Sequence, residues 1–485
     1  MVYPHSFPVM LCRRLCKGGL WKLIGANNCE SKYYKHNLKF PRAMTMDKRL
    51  FNVIGVGLAF MLTFMAFQTM GNIETTILKN VQDDDPSFTG TGYNSLAIIY
   101  AVLSIFNWIS PSAISIFGPK FAMLIGSVTY LLFIMSFLWP NTWFLYIASA
   151  IIGAGAALIW TGQGTYLTLN STKATISRNS GIFWAMLQCS MLFGNLFVYI
   201  KFDGQDHIEK DVRNFVIWVL SGLAMAGVVV FVLLPNPPKL SEDAVQTEEP
   251  IPGPLQVFKD AMKLFVTPRM LMLSLAFFYS GIELGFYSGV YSTAVGATLN
   301  LSDSKKLVGL SGVFIGIGEV LGGLCFGILG KKTTKWGRDP IVIAGFVIHI
   351  LAFFGIFINL PNQSPIHDTN DEAFITSSTE LAMACSFLLG FGDACYNTQF
   401  YSIIGSLYSN NSACAFGIFK FVQSVAAAAA FFSAKYVPLY GQLGILLALA
   451  IVGTAGYIWV EFSVRRGNST SNMKSDSESS INSTE

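Results

Sequence analysis

The sequence predicts an all-α polytopic membrane protein, with twelve transmembrane helices arranged as two pseudo-symmetric six-helix bundles. Three observations carry this reading. Of the 485 residues only 12% are charged and 52% are hydrophobic, whereas an average soluble domain carries roughly 25% charged residues. Apolar runs of membrane-crossing length recur along the chain, and at about 20 residues each twelve of them take up roughly half of it. They fall into two groups of six around a proline-rich stretch. The 40 Phe, 18 Tyr and 9 Trp suit lipid-facing surfaces and interfacial belts, and 44 Gly fit long helices only where these pack closely. The composition excludes a disordered chain, collagen and a disulfide scaffold. A net charge of +4 implies no large basic surface, so no nucleic acid is expected as a partner.

Residues 1–48 hold nine Lys or Arg and no long apolar run, and read as a basic cytoplasmic arm rather than a signal or a span. The N-terminal bundle, 49–234, has spans at about 49–70, 95–117, 121–139, 143–167, 181–200 and 212–234. Residues 235–269, with Pro235, Pro237, Pro238, Pro250, Pro252 and Pro254 and the acidic Glu242, Asp243, Glu248 and Glu249, read as a cytoplasmic linker. The C-terminal bundle, 270–464, has spans at about 270–291, 307–330, 340–360, 381–403, 415–434 and 441–462. Residues 465–485 are Ser- and Asn-rich, with Met473 and Ile481 their only large apolar side chains, and are expected to be a disordered cytoplasmic tail.

Orientation follows from the Lys and Arg in the connecting segments: with the N-terminus inside, cytoplasmic segments hold 24 and the other side 7. Both termini are therefore expected in the cytoplasm. Of six N-x-S/T sequons only those at Asn300 and Asn362 then lie where glycosylation happens. Pro365 makes Asn362 the poorer acceptor. Of the eight cysteines Cys189, Cys325, Cys385, Cys395 and Cys414 lie in apolar segments or at their edge as reduced core residues. Cys12 and Cys16, with only His5 and His36 nearby, lack a zinc-ligand spacing. No metal or cofactor is expected.

The two halves repeat one another. The fifth and eleventh spans open with Gly181-Ile182-Phe183 and Gly417-Ile418-Phe419, and the fourth and tenth carry Gly153-Ala154-Gly155 and Gly390-Phe391-Gly392, at separations of 28 and 27 residues. Two matches in register across corresponding spans indicate parallel six-helix repeats.

Six plus six spans around a cytoplasmic linker are similar to the major facilitator superfamily. Within it, Arg178-Asn179-Ser180-Gly181-Ile182-Phe183-Trp184-Ala185 with Gln188, Trp160-Thr161-Gly162-Gln163-Gly164, and Gly392-Asp393 with Asn397-Thr398-Gln399 resemble the Unc-93-like branch, over roughly residues 49–461. The resemblance implies a central cavity reached by the tenth span. It also implies a chain that starts shortly before the first span, with Met44 or Met46 as the start and the basic arm as an extension. One departure concerns gating: the superfamily's G-x-x-x-D-R-x-G-R loop after the second span is here Ser115-Ile116-Phe117-Gly118-Pro119-Lys120, without Asp or Arg. The loop after the eighth span keeps a remnant from Gly330-Lys331-Lys332 to Trp336-Gly337-Arg338.

Besides His349, four ionisable groups fall well inside spans: Glu283, Glu319, Asp393 and Lys420. An uncompensated Asp or Lys at the bilayer centre costs roughly 2.5 to 3.5 kcal/mol, so such groups mark either a site or a specific helix contact. The repeat places Gln68, Asn107, Ala156 and Trp184 opposite them, which puts every charge in the C-terminal half and favours a site there. Glu283 and Glu319 serve a proton path or, as neutral acids, bond neighbouring helices. Asp393 has Asn397 one turn on, on the same face, and is the strongest site candidate. Lys420 either snorkels to its nearby span end or pairs with Glu319 or Asp393. His349 reads as a satisfied core histidine and is left out of the site. The polar residues of the N-terminal half, Gln68, Asn107, Gln163, Gln188, Asn179 and Asn195, line the same cavity or bond between helices. The eighth span's Gly312, Gly316, Gly318, Gly322, Gly323 and Gly327 read as helix packing.

No Walker loop, G-x-S-x-G elbow or H-E-x-x-H motif occurs, so an enzyme is not expected. Two functions remain. One is a secondary carrier of a small solute, coupled to protons or cations through the buried carboxylates. The other is a non-transporting accessory subunit acting on a membrane-protein partner, since the branch's founding member is regarded as a potassium-channel regulator.

Overall fold

A computed structural model describes residues 48–172, 174–201, 209–237, 254–302, 304–434 and 436–481. The basic arm up to residue 47, with its cysteines and alternative starts, the acidic part of the linker and Asn482 lie outside these. Among the described residues the regular structure is helical, apart from a single bridge between Thr298 and Thr369. Among the described residues ten helices are long and apolar enough to cross a membrane, and a bent pair, Asn94–Phe106 with Ser110–Phe117, makes one more, second in chain order. The remaining span, tenth in chain order, is Thr379–Leu407, 29 residues long, whose Asp393, Asn397, Thr398 and Gln399 lower its hydropathy while every one of them is buried. The chain is an integral, multi-pass membrane protein.

Local chemistry sets the helix ends. Thr91, Asn141 and Ser378 accept a backbone N–H three residues on, at 3.4, 3.0 and 3.2 Å, to open the second, fourth and tenth spans. Pro119 and Pro268 begin helices where their missing N–H costs nothing. The second span is broken by 65° because Pro111 cannot donate to the carbonyl of Asn107. The Ser110 hydroxyl takes that carbonyl instead, at 3.1 Å. Gly118, with φ +76°, turns the chain into the third span, a conformation that L side chains avoid.

Two helices run beyond the spans expected from the sequence. The first span ends at Gly71, as expected, but its helix continues to Asp84, because Ile73, Glu74, Ile77, Leu78 and Val81 are buried against the protein and Asp84 pairs with Arg213 at 2.9 Å. The seventh continues past Pro268–Gly285 through a π-helical turn, Phe286–Tyr291, into Ser292–Ala297. Within the linker, Pro254–Phe265 forms a helix whose buried Val257 and Ala261 pack against Cys414 and Trp108. The twelfth span's helix is Leu439–Ile481.

In the N-terminal half the first span packs on the fifth and sixth and the second on the fourth, and in the other half the seventh packs on the eleventh and twelfth and the eighth on the tenth. The halves meet along two seams, fifth span against eighth and second against eleventh. Under the duplication the two seams are mates. The repeated glycines mark the closest approaches. A Cβ on Gly323 would lie 3.0 Å from the Gly181 carbonyl and 2.7 Å from the Ala185 nitrogen, and a Cβ on Gly417 would lie 3.0 Å from the Asn107 carbonyl. Gly153 meets Ile99 as Gly390 meets Ile315, each through its backbone.

Candidate functional site

Glu283, Glu319 and Asp393 come from the seventh, eighth and tenth spans and converge inside the C-terminal half at 1%, 0% and 2% exposure. The Glu283 and Glu319 carboxyls each lie close to that of Asp393. Asp393 Oδ1 accepts from Asn397 Nδ2 at 2.7 Å, as their one-turn spacing predicts. Glu319 Oε2 accepts from Trp184 Nε1 at 2.5 Å, a bond that crosses from one half to the other. Gln188, one turn beyond Trp184, turns to the same carboxyl. Three further oxygens, Glu283 Oε1, Glu319 Oε1 and Asp393 Oδ2, have no protein donor among the described residues. Two carboxyls can hydrogen-bond only where one of them carries a proton, so contacts of this kind can hold a proton between them. The π turn starts three residues after Glu283, a feature frequent at functional sites. Among the described residues no three His, Cys, Asp or Glu side chains are arranged to hold a metal ion.

His349 is both what the sequence suggests and more. With its proton on Nε2 it donates to the Leu389 carbonyl at 3.2 Å and accepts at Nδ1 from the Tyr279 hydroxyl at 2.5 Å, so its ring is satisfied. That same Nε2 lies 3.6 Å from Glu283 Oε1. The ninth span therefore reaches the edge of the cluster, and Gly392 leaves the room for the imidazole.

Lys420 meets neither Glu319 nor Asp393 as an ion pair among the described residues, and it does not snorkel. It is 7% exposed, donates to Gln423 Oε1 at 2.8 Å and stands over the rings of Trp160 and Phe419 at 4.3 and 4.4 Å. Trp160 belongs to the N-terminal half. The aromatic face replaces the carboxylate that spacing alone suggests.

The polar set of the N-terminal half divides. Gln68 accepts from Ser190 at 2.6 Å and binds the first span to the fifth. Asn107 reaches Ser424 across the second–eleventh seam at 3.5 Å. Asn179 holds Ser171 at 2.8 Å, and Asn195 lies beside Gly312 of the eighth span. Gln163 is fully buried with both amide atoms unpaired. Asn300 is exposed, its amide on the carbonyls of Asn370 and Asp371 at 3.1 and 3.2 Å, and Asn362 accepts from the Tyr440 N–H at 2.9 Å where the twelfth span begins.

The sequence reading misses Glu74. It is 1% exposed in the extension of the first helix, with both oxygens unpaired and Ser95 the nearest polar contact, so buried charge is not confined to the C-terminal half. A hydropathy window ends before it, but the apolar stripe through Met70, Ile73, Ile77 and Val81 continues at helical spacing. Also missed are the partners Trp160, Trp184 and Tyr401, because an aromatic residue carries no signal of which charge it will face.

The sequence profile of the family described as "Ion channel regulatory protein UNC-93" matches residues 88–458. The UNC93-like protein MFSD11 of Xenopus tropicalis is 44% identical over 444 residues, covering 88% of this chain and 99% of its own. Among solved structures, the human organic anion transporter MFSD10 (TETRAN) has a TM-score of 0.58 at 12% identity, over 86% of this chain and 100% of its own. The E. coli fucose:proton symporter FucP has a TM-score of 0.59 at 13% identity, over 86% of this chain and 99% of its own. At such identities the structural likeness shows the fold alone, the major facilitator arrangement of two six-helix bundles.

Proposed function

This chain belongs to the UNC-93 family, and on that premise we propose that it is a secondary carrier of a small solute, coupled to protons through Glu283, Glu319 and Asp393. The observation that carries the reading is the contact among three buried carboxyls from three spans, with one of them tied by Trp184 to the opposite half. In a carrier of this fold the halves rock about a fixed site. Parting the fifth and eighth spans takes the Trp184 N–H away from Glu319, and the number of protons the cluster holds changes with the motion. Both termini are cytoplasmic on the distribution of Lys and Arg.

Uptake into reconstituted vesicles, with and without a pH gradient, tests this. The pH-driven component is expected to be lost in Asp393→Asn and in Glu283→Gln, since an amide keeps the shape and cannot titrate, while the folded yield stays near wild type. Normal pH-dependent uptake in the double mutant would sink the assignment. The second reading, an accessory subunit for another membrane protein, is favoured by the loop after the second span, which lacks the Asp and Arg of a cytoplasmic latch. It predicts no uptake by wild type, recovery of a partner by crosslinking, tolerance of both amides and failure when Leu replaces them.

A further inference from the structure

The seam between the halves holds a second polar centre that the carboxyl cluster does not use. Lys420 has three N–H donors, and one is spent on Gln423, whose own amide is fixed by Ser280 at 3.2 Å. The other two face aromatic rings: Trp160 at 4.3 Å, Phe419 at 4.4 Å and Tyr401 at 5.9 Å. Tyr401 is 1% exposed, and its hydroxyl is without a partner. Its ring is walled by Phe183 and Trp184 of one half and Phe416 of the other. Gln163, three residues on from Trp160, is fully buried with both amide atoms unpaired. An ammonium with one fixed partner and an unpaired phenol thus sit among aromatic rings, and the ring over Lys420, Trp160, comes from the opposite half.

We propose that Lys420 and Tyr401 bind the carboxylate of an organic monoanion with a flat or apolar body, and that this anion is the carried solute. The proposal rests on the carrier reading above. One ammonium neutralises one negative charge, so a dianion such as sulfate would leave charge uncompensated in a buried place. Two free N–H groups match two carboxylate oxygens, and the aromatic walls match an apolar body. Trp160 covers the ammonium while the halves are closed. When they part at this seam, the ring withdraws with its half and the carboxylate takes its place.

The full-length protein in detergent tests this by thermal unfolding with benzoate, benzamide and benzylamine. Benzoate is expected to stabilise it, and the neutral amide and the cation are not. Lys420→Gln should weaken the benzoate response by roughly ten- to a hundredfold, the scale of one charge-assisted hydrogen bond. Lys420→Arg should keep part of it. Tyr401→Phe, which leaves the packing intact, should weaken it by several-fold. No response to benzoate, equal stabilisation by benzamide, or an undiminished response in Lys420→Gln and Tyr401→Phe overturns the site. Labelled benzoate in reconstituted vesicles separates the two ideas. Binding without uptake supports the anion site and removes the carrier reading, whereas uptake of other solutes with no benzoate response overturns the site and leaves the carrier.

Discussion

The two seams between the halves are mates under one duplication, yet they are built from different chemistry. Along the fifth and eighth spans two unbroken helices touch backbone to backbone at Gly323, and the polar link is an indole N–H on a carboxyl. Along the second and eleventh spans one helix is broken by 65° at its tightest point, the polar link is a 3.5 Å amide-to-hydroxyl contact from Asn107 to Ser424, and the linker helix Pro254–Phe265 braces both partners; Lys420 of the eleventh span stands instead over Trp160 of the fourth. The repeat alignment sets Trp184 opposite Lys420 and Asn107 opposite Glu319. The mate of the Trp184–Glu319 contact would be Lys420 with Asn107, but Lys420 turns to Gln423 and to Trp160 of the fourth span while Asn107 turns to Ser424, so the two seams have diverged in partners as well as in charge.

The largest effect should come from asking whether the seams are equally stiff. Gly323→Ala drives a methyl group into the Ala185 backbone between two straight helices, and is expected to cost about 2–3 kcal/mol. Gly417→Ala presses on the Pro111 ring at 2.9 Å, where the break lets the chain give, and should cost about 1 kcal/mol. Thermal unfolding of the purified proteins checks the order; equal losses would remove the asymmetry. Next in size, Trp184→Phe removes the indole donor from Glu319 and should cost about 1–2 kcal/mol, while Asn107→Leu, losing only a 3.5 Å contact, should cost less than half as much. A double-mutant cycle of Trp184→Phe with Glu319→Gln sharpens this, since additive losses would mean that the cross-seam bond carries no coupling. The smallest change should follow Ser112→Ala, which releases the bond from the Ser112 hydroxyl to the Pro254 carbonyl and should cost about 0.5 kcal/mol. It should be visible as faster proteolysis at the linker rather than as lost stability.

The spans were legible because lipid-facing helices must be apolar over a fixed length, whatever they pack against. The duplication was legible for a related reason: Gly153, Gly390 and Gly417 each face a neighbouring helix so closely that an added Cβ would press on its backbone. Asp393 with Asn397 was readable from spacing within one helix. The rest was not, because it is written between helices. Trp184 and Glu319 are 135 residues apart, and neither predicts the other. Lys420 suggested a carboxylate partner, and an aromatic ring of the opposite half took that role. Glu74 stayed hidden because it is shielded from lipid by protein, which a hydropathy window cannot see.

The π-helical turn at Phe286–Tyr291 has a consequence for how the length of this chain can vary. In an ordinary spanning helix, losing one residue swings everything beyond it by about 100° and turns buried faces to the lipid. Here the seventh span already holds one residue more than an α-helix of the same rise requires. A shorter version of the segment closes into a plain α-helix, with Glu283 still facing Asp393 below the turn and Ala294 and Val295 still buried above it. Relatives that differ by a single residue between these points would keep the same site, and an alignment gap there is a change of helix type rather than a break in the span.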